Sequence, residues 1–208
     1  MNFVSNPFSP PSLQPLLIVI SGPSGVGKDA AITLMKKRSP DFHFVVTVTT
    51  RPPRTVEVHG RDYFFVSHEE FARMVECNEF LEHAKVYDDY KGIPKAQVQQ
   101  ALASGKDVVM RIDVQGAATI HLLYPDAVLI FITAQNEEEM VNRLRARNTE
   151  TPDKLELRIA TSIQELNRLD EFKYVVVNQD THLDDTVDTI LAIIRAEHHR
   201  VKPRKVTM

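Results

Sequence analysis

Short runs of apolar residues alternate along the chain with longer stretches in which apolar and polar residues mix. The runs are rich in Val and Ile, which is typical of strands buried on both faces of a parallel sheet. They lie at residues 16–20, 44–48, 108–112, 128–132 and 174–177. The pattern therefore predicts a sheet of five buried strands.

The mixed stretches between these runs predict helices. They lie at residues 30–38, 94–104, 114–123, 137–147, 154–169 and 184–199. Regular alternation of strand and helix favours an α/β fold with a doubly wound parallel sheet. We predict a core built from residues 16–48 and 93–199.

Two stretches interrupt the alternation. Residues 49–92 hold an aromatic run at 63–66 and then Ser67 and Glu70, spaced as a capping box that opens a helix through Asn78. We interpret this stretch as an inserted lobe of mixed strand and helix. The polar, arginine-rich stretch at about 143–158 is interpreted as a mobile lid between two helices.

The two ends of the chain have different compositions from the core. Residues 1–15 carry four prolines among Ser and Asn and predict a flexible arm. Residues 200–208 predict a short polar, basic and solvated tail.

Composition limits the classes of function. The chain has 208 residues, 43% hydrophobic and 25% charged, which is ordinary for a folded globular protein. A net charge of −3 and a pI near 6.2 leave no overall positive field for a nucleic acid or an acidic membrane. No apolar run is long enough to span a bilayer. We expect neither a nucleic-acid partner nor a membrane, and any anion site must be local.

The number of cysteines indicates the redox state of the cellular compartment. Cys77 is the single cysteine, so no disulfide can form within the chain. This indicates a reducing compartment, and residues 1–15 lack the pattern of a secretory signal. The expected location is the cytoplasm.

A glycine-rich loop follows the first predicted strand and precedes the first predicted helix. It consists of Gly22, Pro23, Ser24, Gly25, Val26, Gly27 and Lys28. Spacing and context match a Walker A loop, whose backbone N–H groups cradle phosphates while the lysine reaches the transferred group. The loop, with Asp29 and Ala30 after it, predicts a site for a nucleoside triphosphate.

Asp29 occupies the position after the loop lysine where Ser or Thr is usual. That hydroxyl normally binds Mg²⁺, and a carboxylate oxygen is also a suitable Mg²⁺ ligand. We expect Mg²⁺ as cofactor, with Asp29 as the candidate ligand. The carboxylate also adds negative charge beside the phosphates, which leaves its role open.

Four blocks outside the loop carry a resemblance to a known family. They are the TVTTRPPR run at 47–54 with Glu57, Gly60, Tyr63 and Phe65 beyond it, FLEHA at 80–84, IDVQGA at 112–117, and RLRARNTET at 143–151. Over residues 16–199 the chain resembles guanylate kinases. The resemblance implies Mg²⁺-dependent transfer of the γ-phosphoryl group of ATP to GMP or dGMP by a monomer or weak homo-oligomer. It also implies a P-loop core, a monophosphate-binding lobe and a helical lid.

Residue types in the lobe agree with an acceptor site. Arg51 and Arg54 stand beside prolines, and two guanidinium groups can bind a phosphate dianion. Glu82 can accept both N1–H and N2–H of guanine, whereas adenine offers an acceptor at N1. The resemblance places the acceptor site at Thr47, Arg51, Arg54, Glu57, Tyr63, Glu82, Lys91 and Asp113. Asp113 is assigned to the guanine amine or to the water shell of the metal.

The resemblance also implies catalytic residues. Arginines of the lid would neutralise charge on the phosphoryl group in transfer. The expected catalytic residues are Lys28, Arg51, Arg143, Arg147 and Arg158. By resemblance alone, Asn178 is expected to contact the adenine of ATP.

Besides Asp29, three positions depart from the family pattern. Lys91 replaces a tyrosine, Ile93 replaces a hydroxyl residue, and Arg111 replaces an acid at the end of a strand. Since Asp29 is an acid where a hydroxyl is usual, we predict a salt bridge between Asp29 and Arg111. The departures leave two alternatives: an inactive guanylate-kinase-like module that binds phosphopeptides, and a P-loop kinase for another nucleoside monophosphate.

Overall fold

The computed structural model describes residues 13–146, 151–206 and 208. Along the chain, its helices and strands are β1 (Leu17–Ser21), α1 (Lys28–Arg38), β2 (His43–Phe44), β3 (Val48–Thr49), β4 (Phe64–Phe65), α2 (His68–Glu76), β5 (Phe80–Val86), β6 (Asp89–Pro94), α3 (Lys95–Ala103), β7 (Val108–Arg111), α4 (Val114–Leu123), β8 (Val128–Thr133), α5 (Glu137–Ala146), α6 (Pro152–Leu166), β9 (Tyr174–Val177) and α7 (Leu183–His198).

Five strands form a sheet in the order β2-β7-β1-β8-β9, and every pair is parallel. β1 lies at the centre, with Leu17 beside Val108 of β7 and Ile18 beside Val128 of β8. The predicted five-stranded, doubly wound α/β fold is confirmed. The carboxyl ends of the parallel strands form one edge of the sheet, where ligands of such folds bind.

Both faces of this sheet are covered by helices. Ile18 and Ile20 pack with Met35 of α1 and Ile190 of α7 in one apolar cluster. The alternate residues of β1 pack into a second cluster with α3 and α4 on the opposite face. Because successive side chains of a strand point to opposite faces, burial of both faces explains the uninterrupted apolar sequence.

A second, smaller sheet has the strand order β4-β3-β6-β5 and lies within Val48 to Pro94. Its own apolar cluster contains Val48, Phe71 of α2 and Phe80. The Ser67 hydroxyl accepts the backbone N–H of Glu70 at 3.0 Å, which confirms the predicted start of α2. α2 ends at Glu76, two residues before the predicted end.

The prediction of one strand at 44–48 is wrong, because the chain leaves the first sheet there and enters the second. β2 ends at Phe44 and β3 begins at Val48. Between them, the Gln97 side chain bonds both the N–H and the carbonyl of Val46 at 3.1 Å, so an amide replaces a neighbouring strand. An apolar sequence does not reveal such an exchange between sheets.

The predicted helix at 154–169 ends earlier, at Leu166. The N–H groups of Asn167 and Arg168 bond to carbonyls three residues back, which tightens the last turn, and a 3₁₀ turn follows at Leu169–Glu171. Residues 1–12 of the predicted arm at 1–15 and residues 147–150 of the predicted lid, including Arg147, lie outside the described residues. Among the described residues, no helix combines the length and the apolar character needed to cross a membrane.

Most described residues of the predicted solvated tail are exposed, but Arg204 is not. Arg204 is only 6% exposed, and its Nη2 donates to the Glu197 carboxylate at 2.8 Å while Nε donates to the second oxygen. The hydroxyl of Tyr174 donates to the same carboxylate. A bidentate pair of this kind explains why a basic segment folds back on the core.

Candidate active site

The glycine-rich loop joins β1 to α1 at the carboxyl edge of the parallel sheet. Gly22, Gly25 and Gly27 have φ values of 133°, 88° and 90°, in the region that favours glycine. A Cβ at Gly22 would lie 2.1 Å from the carbonyl oxygen of Ile132 in β8. The neighbouring strand therefore requires glycine at the first position of the loop.

Lys28 is the first residue of α1, and its side chain lies along the inside of the loop. Its Nζ donates to the carbonyl oxygens of Gly22 and Pro23, each at 2.6 Å. Burial lowers the pKa of Lys28 to about 8, although the negative charges of Glu165 and Asp29 oppose the shift. A cation is thus held where the loop would place phosphate oxygens.

Asn178 and Arg143 support the loop from behind. The Asn178 amide donates to the Val26 carbonyl at 2.8 Å and accepts the Thr186 hydroxyl at 3.0 Å. Arg143 donates to the carbonyls of Val26 and Asn178 and to the Glu139 carboxylate. In this structure the polar groups of Asn178 are used inside the protein, where they position the loop.

The arginine pair of the lobe is organised by one carboxylate. Glu57 binds the Arg51 guanidinium at 2.8 Å and the backbone N–H of Arg54, also at 2.8 Å. Burial raises the pKa of Glu57, but the bonds from Arg51 and Arg54 outweigh it and hold the pKa below its usual range. Glu57 therefore acts here as a partner that orients the two arginines.

Glu82 lies on β5 and is 6% exposed. Its Oε2 has no hydrogen-bond partner among the described residues, and a Cβ at Gly116 would lie 2.7 Å from it. Burial and the charge of Asp113 raise the pKa of Glu82 to about 8. Asp113 accepts the N–H groups of Gln115 and Gly116, each at 2.9 Å, and so caps α4. The two carboxyl groups are thus close and in different environments.

The predicted salt bridge between Asp29 and Arg111 is confirmed. Nη1 of Arg111, at the end of β7, donates to Oδ1 of Asp29 in the first turn of α1. The Arg111 guanidinium lies 4.7 Å from the ring centre of Tyr63, and that of Arg51 lies 5.3 Å from the same ring. One tyrosine ring therefore joins the arginine beside the P-loop to the arginine of the lobe.

One cavity of about 630 Å³ lies between the P-loop and the lobe. It is lined by many of the predicted site residues: Gly22, Ser24, Gly25, Gly27, Lys28, Asp29, Thr47, Arg51, Arg54, Tyr63, Lys91, Asp113 and Arg158. Other predicted site residues do not line the cavity: Pro23, Val26, Ala30, Glu57, Glu82, Arg143 and Asn178. Ile93, where the family has a hydroxyl, is fully buried.

The first half of α6 forms one wall of the cavity and touches the turn between β5 and β6. Lys154 forms a salt bridge of 3.0 Å with Asp88, and the Arg158 guanidinium lies 4.6 Å from the Tyr87 ring centre. Glu165, also on α6, lines the cavity, and burial raises its pKa although the charge of Lys28 opposes the shift. The sequence gives no signal for Glu165, because it stands in an ordinary helical stretch and only the fold brings it to the loop.

The described residues contain no group of three or more His, Cys, Asp or Glu side chains arranged to hold a metal ion. Mg²⁺ at phosphate sites keeps several waters and uses one or two carboxylates together with substrate oxygens. Asp29 supplies such an oxygen at the cavity wall beside Lys28. The residues present therefore fit a Mg²⁺ ion that arrives with a nucleotide.

A parallel sheet with a P-loop after its central strand, facing an inserted lobe and a helical wall, defines the class of P-loop nucleotide-binding proteins. Comparison with known proteins specifies the family. The family model described as "Guanylate kinase" matches residues 14–197. The chain belongs to the guanylate kinase family.

Individual relatives agree with this membership. Guanylate kinase 2, chloroplastic/mitochondrial, from Oryza sativa subsp. japonica is 48% identical over 207 residues, which is 99% of this chain and 72% of the relative. A guanylate kinase from Caldanaerobacter subterraneus subsp. tengcongensis is 45% identical over 192 residues, 92% of each chain. The crystal structure of guanylate kinase from Anaplasma phagocytophilum superposes with a TM-score of 0.75 at 30% identity, covering 91% of this chain and 89% of that one.

Proposed function

We propose that this chain phosphorylates GMP or dGMP with ATP in the cavity between the P-loop and the lobe. The chain is a kinase of the guanylate kinase family, and its reaction converts ATP and GMP to ADP and GDP. One observation carries the residue assignment: Lys28 and Arg51 line the same cavity from opposite sides. Two phosphate-binding groups that face each other are what transfer between two nucleotides requires.

The donor side is formed by the P-loop. Its backbone N–H groups and the start of α1 bind the phosphates of ATP, and Lys28 exchanges the loop carbonyls for phosphate oxygens. Arg143 and Asn178 hold the Val26 carbonyl and so keep the loop in shape. On this account, Arg158 of α6 neutralises charge on the transferred group, as does Arg147, which lies outside the described residues.

The acceptor side is formed by the lobe. Arg51, Arg54, Tyr63 and Lys91 bind the phosphate of GMP, and Thr47 adds a hydroxyl. One oxygen of that phosphate attacks the γ-phosphorus of ATP in line, the bond from γ-phosphorus to the bridging oxygen breaks, and ADP leaves with the electron pair. No side chain has to act as a nucleophile, because the protein supplies position and positive charge.

Recognition of guanine is assigned to Glu82 and Asp113. The unpartnered Oε2 of Glu82 is a buried acceptor that N1–H and N2–H of guanine would satisfy. Adenine lacks both donors, so it would leave the ionised form of Glu82 without a partner, which is costly in a buried site. Gly116 leaves room for the carboxylate in this position.

Mg²⁺ is the proposed cofactor, held by Asp29, by waters and by the phosphates. When bound, it neutralises charge between the β- and γ-phosphates. Cys77 as the single cysteine favours a reducing compartment, and we place the reaction in the cytoplasm. We propose a monomer or weak homo-oligomer, which sedimentation at two concentrations distinguishes.

The experiment is an assay of ADP release with GMP, dGMP, AMP, CMP and UMP, with and without EDTA. We expect turnover with GMP and dGMP that chelation abolishes. Preference for another monophosphate would contradict the guanine assignment. No turnover with any of them, together with binding of a phosphopeptide, would indicate the inactive module instead. Lys28→Met provides the matched inactive control.

A further inference from the structure

Three cationic side chains, Arg51, Lys91 and Arg111, line the cavity between the two phosphate sites. Arg51 and Arg111 contact the same Tyr63 ring, and burial together with the positive charges of these two arginines lowers the pKa of Lys91. A cluster of like charges in a partly buried cavity is costly unless anions share it. The anions that share it in this structure come from two different parts of the molecule.

Arg51 takes its counter-ion from its own lobe, since Glu57 lies six residues further along the chain. Arg111 takes its counter-ion from the P-loop side, where Asp29 follows the loop lysine. Lys91 has no ion pair within the part of the chain that the structure describes. The two arginines therefore have one carboxylate partner from the lobe and one from the opposite side of the cavity, while the charge of Asp113, on the cavity wall, acts on Lys91.

The two carboxylates differ in exposure. The Glu57 side chain is 14% exposed, whereas that of Asp29 is 53% exposed. A half-exposed ion pair contributes little stability because water screens it. A phosphate dianion, which accepts several charge-assisted bonds from a guanidinium group, can replace such a partner. Asp29 is thus a partner that a substrate phosphate can displace.

The Tyr63 ring fixes the direction of Arg111. Its guanidinium packs on the ring that also contacts Arg51, so both groups point into the same part of the cavity. We propose that Arg111 is a third arginine of the acceptor-phosphate site and that Asp29 occupies it until GMP binds. The inference rests on the proposed function, because it deepens the description of the same phosphate site.

The experiment measures GMP binding by calorimetry without ATP or Mg²⁺, with guanosine as a probe that lacks the phosphate. Asp29→Asn removes the competing charge, and we expect it to tighten GMP binding by about threefold or more. Arg111→Met is expected to weaken GMP binding by about tenfold or more. In the double variant, Asp29→Asn should give no further gain, because its effect acts through Arg111. Guanosine binding should not respond to Asp29→Asn.

Asp188→Asn is the matched control, since it removes the charge of an acid in an exposed salt bridge with Arg38, which joins α1 and α7 away from the cavity. Unchanged or weaker GMP binding in Asp29→Asn would overturn the inference, as would equal tightening for guanosine. The guanosine comparison decides the question even where Arg111→Met does not fold. Failure of the unmodified chain to bind GMP would instead contradict the proposed function.

Discussion

The two sides of the cavity hold their cations by different means. On the P-loop side, Lys28 is bound by the carbonyls of Gly22 and Pro23, within six residues of itself. On the lobe side, Arg51 is bound by the carboxylate of Glu57 and packed on the Tyr63 ring. Backbone carbonyls are neutral and give way to phosphate without leaving a charge unpaired. A carboxylate must be accommodated when phosphate arrives.

This difference predicts how strongly a single substitution on each side of the cavity should affect the reaction. The P-loop depends on backbone conformation and on one lysine, so that single side chain should dominate the donor side. The lobe spreads acceptor binding over several cations, so each of them should contribute less. Substitution of the loop lysine should therefore have the largest effect.

Lys28→Met should lower kcat by about a thousandfold, because it removes the charge beside the transferred phosphoryl group while keeping the length of the side chain. GMP binding measured without ATP should stay within about twofold, since the acceptor site is formed by the other side. Steady-state kinetics and calorimetry check the two parts. A comparable loss of GMP affinity would show that the two sides are not separate.

Glu82→Gln should weaken GMP binding by roughly 1–3 kcal/mol, because it removes the charge and presents an amine to a guanine donor. ATP binding should change little. Competition binding with both nucleotides measures the split. Equal losses for GMP and ATP would remove Glu82 from the guanine site.

The P-loop side and the lobe side also differ in how much of their structure the sequence could predict. The P-loop and the parallel sheet could be predicted because each has a local signal in the sequence. The loop has its spacing of glycines, and the strands have runs of apolar residues. The lobe depends on strands of two residues, such as β3 and β4, and on the β5–β6 hairpin, which pairs with β3 from far away in sequence. Short half-buried strands leave little periodicity to read.

Individual side chains show the same limit. The salt bridge between Asp29 and Arg111 could be predicted because each residue has an unusual charge for its position. Asp29 stands where a hydroxyl is usual, and Arg111 stands where an acid is usual. The burial of Arg204 could not be predicted, because a short basic segment after a helix is ordinarily solvated, and its contacts with Glu197 on α7 and with Asp126 appear only in the fold. The resemblance suggests an adenine contact for Asn178, and it gives no sign that its amide also bonds the Val26 carbonyl.

A double-mutant cycle tests whether Asp29 and Arg111 act as one unit on the donor side. With GMP bound, Asp29→Ser removes the proposed Mg²⁺ ligand and Arg111→Asp places a second acid beside Asp29, so each should lower kcat/KM for MgATP by about tenfold at saturating GMP. The pair restores a hydroxyl beside the lysine and an acid at the strand end, and it should recover much of the loss. Additive losses would show that the two substitutions are unrelated.

The smallest expected effect is a difference in pH dependence between the two sides. Burial, with the charge of Asp113, raises the pKa of Glu82 to about 8, so this carboxyl is mostly protonated at pH 7 and ionises as the pH rises. Guanine donors need the ionised form, and GMP binding should therefore tighten, by about eightfold between pH 7 and 8.5. Burial lowers the pKa of Lys28 to about 8, so this ammonium loses its proton over the same range.

ATP binding without Mg²⁺ should consequently weaken over the range in which GMP binding tightens. Each nucleotide must be measured alone by calorimetry, because phosphates of a bound partner would stabilise the protonated lysine. Glu82→Gln should abolish the pH dependence of GMP binding and leave that of ATP unchanged, since it removes one titrating group and retains the other. If the affinities for GMP and ATP changed with pH in the same direction, one shared titrating group would govern both sites. The two sides of the cavity would then not differ in their pH dependence.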